Sequence, residues 1–149
     1  MSINQIYSDR ILELAGNLPQ MHPLEAPDAT ARRVSRVCGS SIDVELKIEG
    51  NRVVDYAHEV NACALGQTSA SIVAQQIIGS TLDELRTVRT QMVAMLKANG
   101  AAPSGKWEDL KYLEPVRDYK PRHASTLLVF DAVVDAIDSY EVAQKERAG

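Results

Sequence analysis

The chain has 149 residues and a formal net charge of −4, with 45% hydrophobic and 24% charged residues. That length and mixture can bury a core without disulfide staples, and they predict one domain over residues 1–149. No dense Lys/Arg run and no apolar run near twenty residues occur, so neither a nucleic-acid surface nor a membrane span is expected.

The N-terminal stretch MSINQIYSDRILELAGNLPQ has no basic segment followed by an apolar one, so it does not read as a secretory leader. The expected location is cytoplasmic, where thiols stay reduced. Asn4 to Ala15 predicts a helix, with Tyr7, Ile11, Leu14 and Ala15 at helical spacing and Gly16 as a stop. GNLPQMHPLEAPDATA follows with three prolines and no periodicity, which predicts an irregular arm. ATARRVSRV reads as a strand leading to Cys38.

In SSIDVELKIEG, Ile42, Val44, Leu46 and Ile48 alternate with Asp43, Glu45 and Lys47, the pattern of a half-buried strand. Gly50 and Asn51 supply a turn that tolerates positive φ. VVDYAHEV then runs back with Val54, Tyr56, His58 and Val60 expected on one face, His58 as a hydrogen-bonded core histidine. Beyond Cys63, a small-residue helix is expected from Leu65 to Ile78, closed by Gly79. A second helix follows, capped by Ser80 or Thr81, with Leu82, Leu85, Val88, Met92 and Met95/Leu96 as its core stripe and Asn99-Gly100 as its stop. Ala101 to Arg122 is a long, proline-broken connection holding the single tryptophan, expected to be packed by its own aromatics or functional. The last helix is placed near Ser125, read as its N-cap, with Leu128, Val129, Ala132, Val133, Ala136, Ile137 and Tyr140 on its face. Strands in one run and helices in another predict an α+β fold, a small antiparallel sheet with helices packed on one face.

The two cysteines, Cys38 and Cys63, stand where elements begin or end. In a reducing compartment they are buried small hydrophobes, reactive thiols or metal ligands. Helix N-terminal amides favour an anion beside them, which suits Cys63 to a thiolate role.

Cys38-Gly39 opening a strand, then ACALGQTSASI opening a small-residue helix, resembles the NifU/IscU/SufU iron–sulfur cluster assembly scaffolds. Cys38 and Gly39 match the first family motif, and Cys63, Ser69 and Ser71 the second. The insertion from Ala101 to Arg122 resembles the SufU branch, and Leu113-Glu114-Pro115-Val116-Arg117 bears a slighter likeness to a chaperone-binding peptide of the IscU branch. The resemblance implies a SufE/NifU-like α+β fold and a scaffold, not an enzyme. It implies an iron–sulfur cluster or a zinc ion held at Cys38 and Cys63, and a cysteine desulfurase or other cluster-assembly proteins as partners.

The departures fall on the ligands. The family aspartate two residues after the first cysteine is Ser40 here, the glycine before the second cysteine is Ala62, and the third family cysteine is missing. Without a gap Ser125 takes the third-cysteine position; with one gap Ala124 takes it and His123 matches the preceding family histidine. Two thiolates alone complete neither a tetrahedral zinc site nor a [2Fe–2S] cluster, each of which wants four ligands. A symmetric homodimer giving two thiolates per chain would complete the set; so would Cys38, Cys63 and His123 with an exchangeable fourth ligand, which would make a labile site. Two readings of other classes stay open: a persulfide-accepting sulfurtransferase partner of a cysteine desulfurase, and a degenerate member that kept the fold as a protein-interaction module.

Overall fold

The alternating stretch forms the central strand of a three-stranded antiparallel sheet in the computed structural model, which describes residues 7–36 and 39–148. Strand β1 is Ala29–Ser35, β2 is Ser40–Glu49 and β3 is Arg52–Asn61, in spatial order β1-β2-β3. Along β2 every second residue from Ser40 to Ile48 is buried while the residues between are half-buried, the period a pleated strand imposes. Gly50 takes the positive φ of the turn at +61°.

The return strand differs from expectation at one residue. Tyr56, His58 and Val60 pair with Leu46, Val44 and Ile42 as the alternation predicts, but Lys47 pairs with Asp55 and Ile48 with Val53. Val54 is the extra residue of a bulge, so it is exposed and Val53 is buried in its place. Backbone bonds explain the anchoring: Val53 N–H donates to Ser80 O at 3.0 Å, and Gly79 N–H donates to Val53 O at 2.8 Å.

Four helices complete the architecture: α1 Asp9–Gly16, α2 Ala64–Gln76, α3 Leu82–Lys97 and α4 His123–Ala148. The first helix starts later than its apolar spacing suggests because Ser8 caps it, its hydroxyl accepting from Ile11 N–H; Tyr7 lies outside the helix, and residues 4–6 of the expected span are outside the described residues. Helix α2 ends at Gln76, whose carbonyl accepts from Ser80 Oγ, and Gly79 turns the chain at φ +90°. Of the two expected caps for α3, Thr81 fills the role by accepting from Glu84 N–H at 3.0 Å. Helix α4 packs on β1 and β2 and also against α2 and α3, so the run from Ser125 to Phe130 is buried all round. One core joins Ile11, Leu46, Tyr56, Ile72, Met92 and Ile137. No helix among the described residues is long and apolar enough to cross a membrane.

The long connection is not irregular. Gly105–Asp118 winds as consecutive 3-10 turns, and Trp107, Leu110, Leu113 and Val116 fall on its buried side. A 3-10 helix has three residues per turn, so an apolar residue at every third position lines one face. Trp107 Nε1 donates to Glu84 Oε2 at 2.8 Å, which ties the stripe to α3. Burial works against the Glu84 carboxylate, but the bonds from Trp107 and Lys106 outweigh it and hold its pKa below the ordinary range. Leu113 and Val116 of the chaperone-like pentapeptide are fully buried here, while Glu114 is exposed.

Candidate functional site

Three chain segments far apart in sequence meet at the mouth of α2. Cys63 is the N-cap residue of α2, with extended backbone (φ −67°, ψ 173°), and its thiol makes no capping bond to the helix. Instead Cys63 Sγ lies 3.0 Å from Ser125 Oγ in the first turn of α4. Ser125 Oγ in turn lies 3.5 Å from Ser40 Oγ at the start of β2. Ser125 and Ser40 are buried and Cys63 is half-buried, so the sulfur sits at the outer end of a short chain of hydroxyls.

The local sequence makes this approach feasible. Gly66, one turn into α2, faces Ser125: a Cβ there would lie 2.9 Å from Ser125 Oγ, 3.2 Å from Ser125 O and 2.8 Å from Ala62 Cβ. Only a residue without a side chain lets α2 and α4 come this close. Farther along α2, Ser69 and Ser71 are fully buried, and neither hydroxyl finds a hydrogen-bond partner among the described residues. Their small size permits the close packing of α2 against α1 and α4, at a cost of roughly 1–3 kcal/mol for each unsatisfied hydroxyl.

Ser125 is not the N-cap of the last helix. A 3-10 turn, Lys120–Arg122, leads into α4 at His123, so Ser125 already lies inside the helix and its side chain is free to reach Cys63. Of the two placements of the missing third cysteine, the ungapped one is therefore the position that meets the thiol. His123 is buried, and its Nε2 donates to Val116 O at 3.0 Å and Arg117 O at 3.1 Å. The ring thereby ties the 3-10 segment to the start of α4, and that nitrogen is engaged with backbone. Cys38 lies outside the described residues; Ser40, two residues later, is at the junction. Among the described residues no group of three or more His, Cys, Asp or Glu side chains converges.

His58 is a hydrogen-bonded histidine beneath the arm. Its Nε2 donates to Pro19 O at 2.9 Å, and Tyr56 Oη lies 3.3 Å from its Nδ1. Burial lowers the His58 pKa from its ordinary value, opposed by the bond to Pro19, and burial pushes the Tyr56 phenol far up. The arm also bonds to β2: Leu24 N–H donates to Glu45, Lys47 donates to Ala26 O, and Asp28 accepts from Ile48 N–H. Between arm and sheet runs an open groove of about 1130 Å³ that reaches Gln67 on α2.

Sequence reasoning named Cys63 as a candidate and gave Ser125 and Ser40 as family positions, but it did not single out Gly66. Its signal was present, a glycine three residues beyond the thiol inside a helical pattern, where glycine marks a cost that close packing has to justify.

Comparisons with known proteins show the family and the fold. The family described as NifU-like N terminal domain matches residues 6–146. The iron–sulfur cluster assembly scaffold protein IscU of Thermotoga maritima is 23% identical over 137 residues, covering 92% of this chain and 96% of that protein. Among solved structures, a nitrogen-fixing NifU-like protein (N-terminal) from Brucella abortus is 56% identical, with a TM-score of 0.91 over 93% of this chain and 96% of that one. A SUF-system scaffold from Fervidobacterium islandicum, described as putative in its own name and 20% identical, shares the fold with a TM-score of 0.80 over 91% of this chain and 98% of that one.

Proposed function

This chain belongs to the NifU-like N-terminal domain family of iron–sulfur cluster assembly scaffolds, and from that premise we propose that it carries a labile iron–sulfur cluster as cargo between Cys38 and Cys63. Scaffolds of this family are not enzymes, so the property to explain is holding and release. The observation that carries the reading is the junction of Cys63, Ser125 and Ser40, where the mouth of α2, the head of α4 and the start of β2 come together. Thiolates suit iron–sulfur centres, and the half-buried position of Cys63 leaves its sulfur reachable from outside. Ser40, two residues beyond Cys38 in the sequence, stands at that junction. In this reading residues 1–149 act as one scaffold domain in the cytosol, sulfur arrives from a cysteine desulfurase, and the two missing cluster ligands come from a second copy or an exchangeable molecule.

Anaerobic reconstitution with ferrous iron and sulfide tests this directly. Wild type is expected to develop sulfide-to-iron charge-transfer absorption in the visible, and Cys63→Ala and Cys38→Ala to lose it. A wild-type protein that stays colourless overturns the reading. Size-exclusion chromatography of the coloured product separates a bridged dimer from a monomer.

A further inference from the structure

We infer that Ser125 is a positioning and specificity-determining residue: backed by Ser40, its hydroxyl hydrogen-bonds the Cys63 sulfur and makes the site favour sulfide-containing cargo over a bare divalent cation. The inference deepens the scaffold reading and rests on it for the identity of the cargo.

Three observations carry it. The Sγ–Oγ distance of 3.0 Å is a close hydrogen-bond contact, and Ser125 is wholly buried, so its hydroxyl is committed to the protein interior. Ser40, nearly as buried, has its hydroxyl 3.5 Å from Ser125 Oγ, so a second hydroxyl stands beside the one that meets the sulfur. Gly66 then keeps the space that Ser125 Oγ occupies, where any side chain would press on that atom.

The chemistry follows from the donor types. A neutral hydroxyl is a poor ligand for zinc or ferrous iron beside thiolates, and two thiolates leave a tetrahedral cation half-coordinated. A hydroxyl is, however, a good donor to anionic sulfur, whether a cysteine thiolate or a sulfide that arrives with the cargo. Hydrogen bonds of this kind also tune iron–sulfur centres. A cluster brings its own sulfide for the hydroxyls to stabilise; a bare cation brings nothing they can donate to.

The test uses the apo protein in two readouts. In a Cys38→Ala background, Ser125→Ala is expected to slow iodoacetamide alkylation of Cys63 at pH 7 by about 3- to 10-fold, since a hydrogen bond to a charged group is lost but intrinsic nucleophilicity partly compensates. Ser40→Ala is expected to slow it less. In the chain with both cysteines, zinc affinity measured against a chromogenic chelator is expected to change less than about 3-fold in Ser125→Ala, because no ligand is lost. In Ser125→Cys it should rise at least about 10-fold, because a third thiolate is gained. Unchanged or faster alkylation in Ser125→Ala overturns the inference, as does a wild-type zinc affinity equal to that of Ser125→Cys. Neither readout requires a cluster, so a failed reconstitution would count against the scaffold reading and leave the role of Ser125 to be decided separately. Circular dichroism of each variant checks that the fold is kept.

Discussion

The 3-10 stripe of Trp107, Leu110, Leu113 and Val116 fills the connection that leads into α4, and the junction of Cys63, Ser125 and Ser40 gathers at the start of α4, yet they are built on opposite rules. The stripe is large and apolar, and each buried side chain of that kind contributes about 1.5–3 kcal/mol. The junction is small and polar, and it buries two hydroxyls for contacts that add little to folding. His123 joins the two, with Nε2 on the Val116 and Arg117 carbonyls of the 3-10 segment and its backbone opening the helix that presents Ser125. The difference teaches that this fold concentrates its large apolar burial in the insertion and keeps the junction beside Cys63 small and polar.

That contrast can be broken or sharpened by four substitutions. Leu110→Ala should have the largest effect on stability, a loss of about 2–5 kcal/mol measured by urea denaturation, because a fully buried side chain leaves a cavity. Cys63 alkylation in that variant should match wild type under native conditions. Gly66→Ala should cost about 1–3 kcal/mol through overpacking against Ala62 and Ser125. Unlike Leu110→Ala, it should also slow Cys63 alkylation, since the displaced atom is the hydroxyl that faces the sulfur; an unaffected thiol would show that the two helices can shift without parting Ser125 from Cys63. Thr81→Ala removes the α3 cap and should cost about 1 kcal/mol, with no change at the junction.

The smallest effect concerns pH. Burial holds the folded His58 pKa below the ordinary value of about 6.5 that the unfolded chain keeps. The unfolded state therefore binds more protons in the window beneath 6.5, and stability falls as pH drops from that value toward the lowered folded one. Above the window the full stability is present. Asp43, Glu45, Glu59, Arg32 and His22 line the same groove. Thermal unfolding at pH 7.5 and pH 5.5 should show a decrease that His58→Gln reduces; an equal decrease in both proteins would assign the acid sensitivity elsewhere.

The insertion also shows where a sequence pattern was present but unread. Trp107, Leu110, Leu113 and Val116 recur at intervals of three, a period that belongs to neither an α-helix nor a strand, so a search for 3.6 and 2.0 passes over it. The α3 stripe from Leu82 to Leu96 and the alternation of β2 were legible because their periods match common elements, and every expected apolar position on both is buried. Val54 was misplaced because a bulge depends on what the strand pairs with, here the Gly79–Ser80 backbone.

The sequence by itself determined the α+β architecture, the family motifs and the placing of Cys63 at a helix start, because hydrophobic period and capping act over a few residues at a time. Only the tertiary structure decided that Ser125, 62 residues further along, meets that thiol, and that Ser40 stands behind it. It also turned His123 toward backbone carbonyls and gave Gly66 its purpose. The physical reason is range: a contact between two helix starts and a strand end depends on how three elements pack, and no local pattern in any one of them encodes the distance between their side chains.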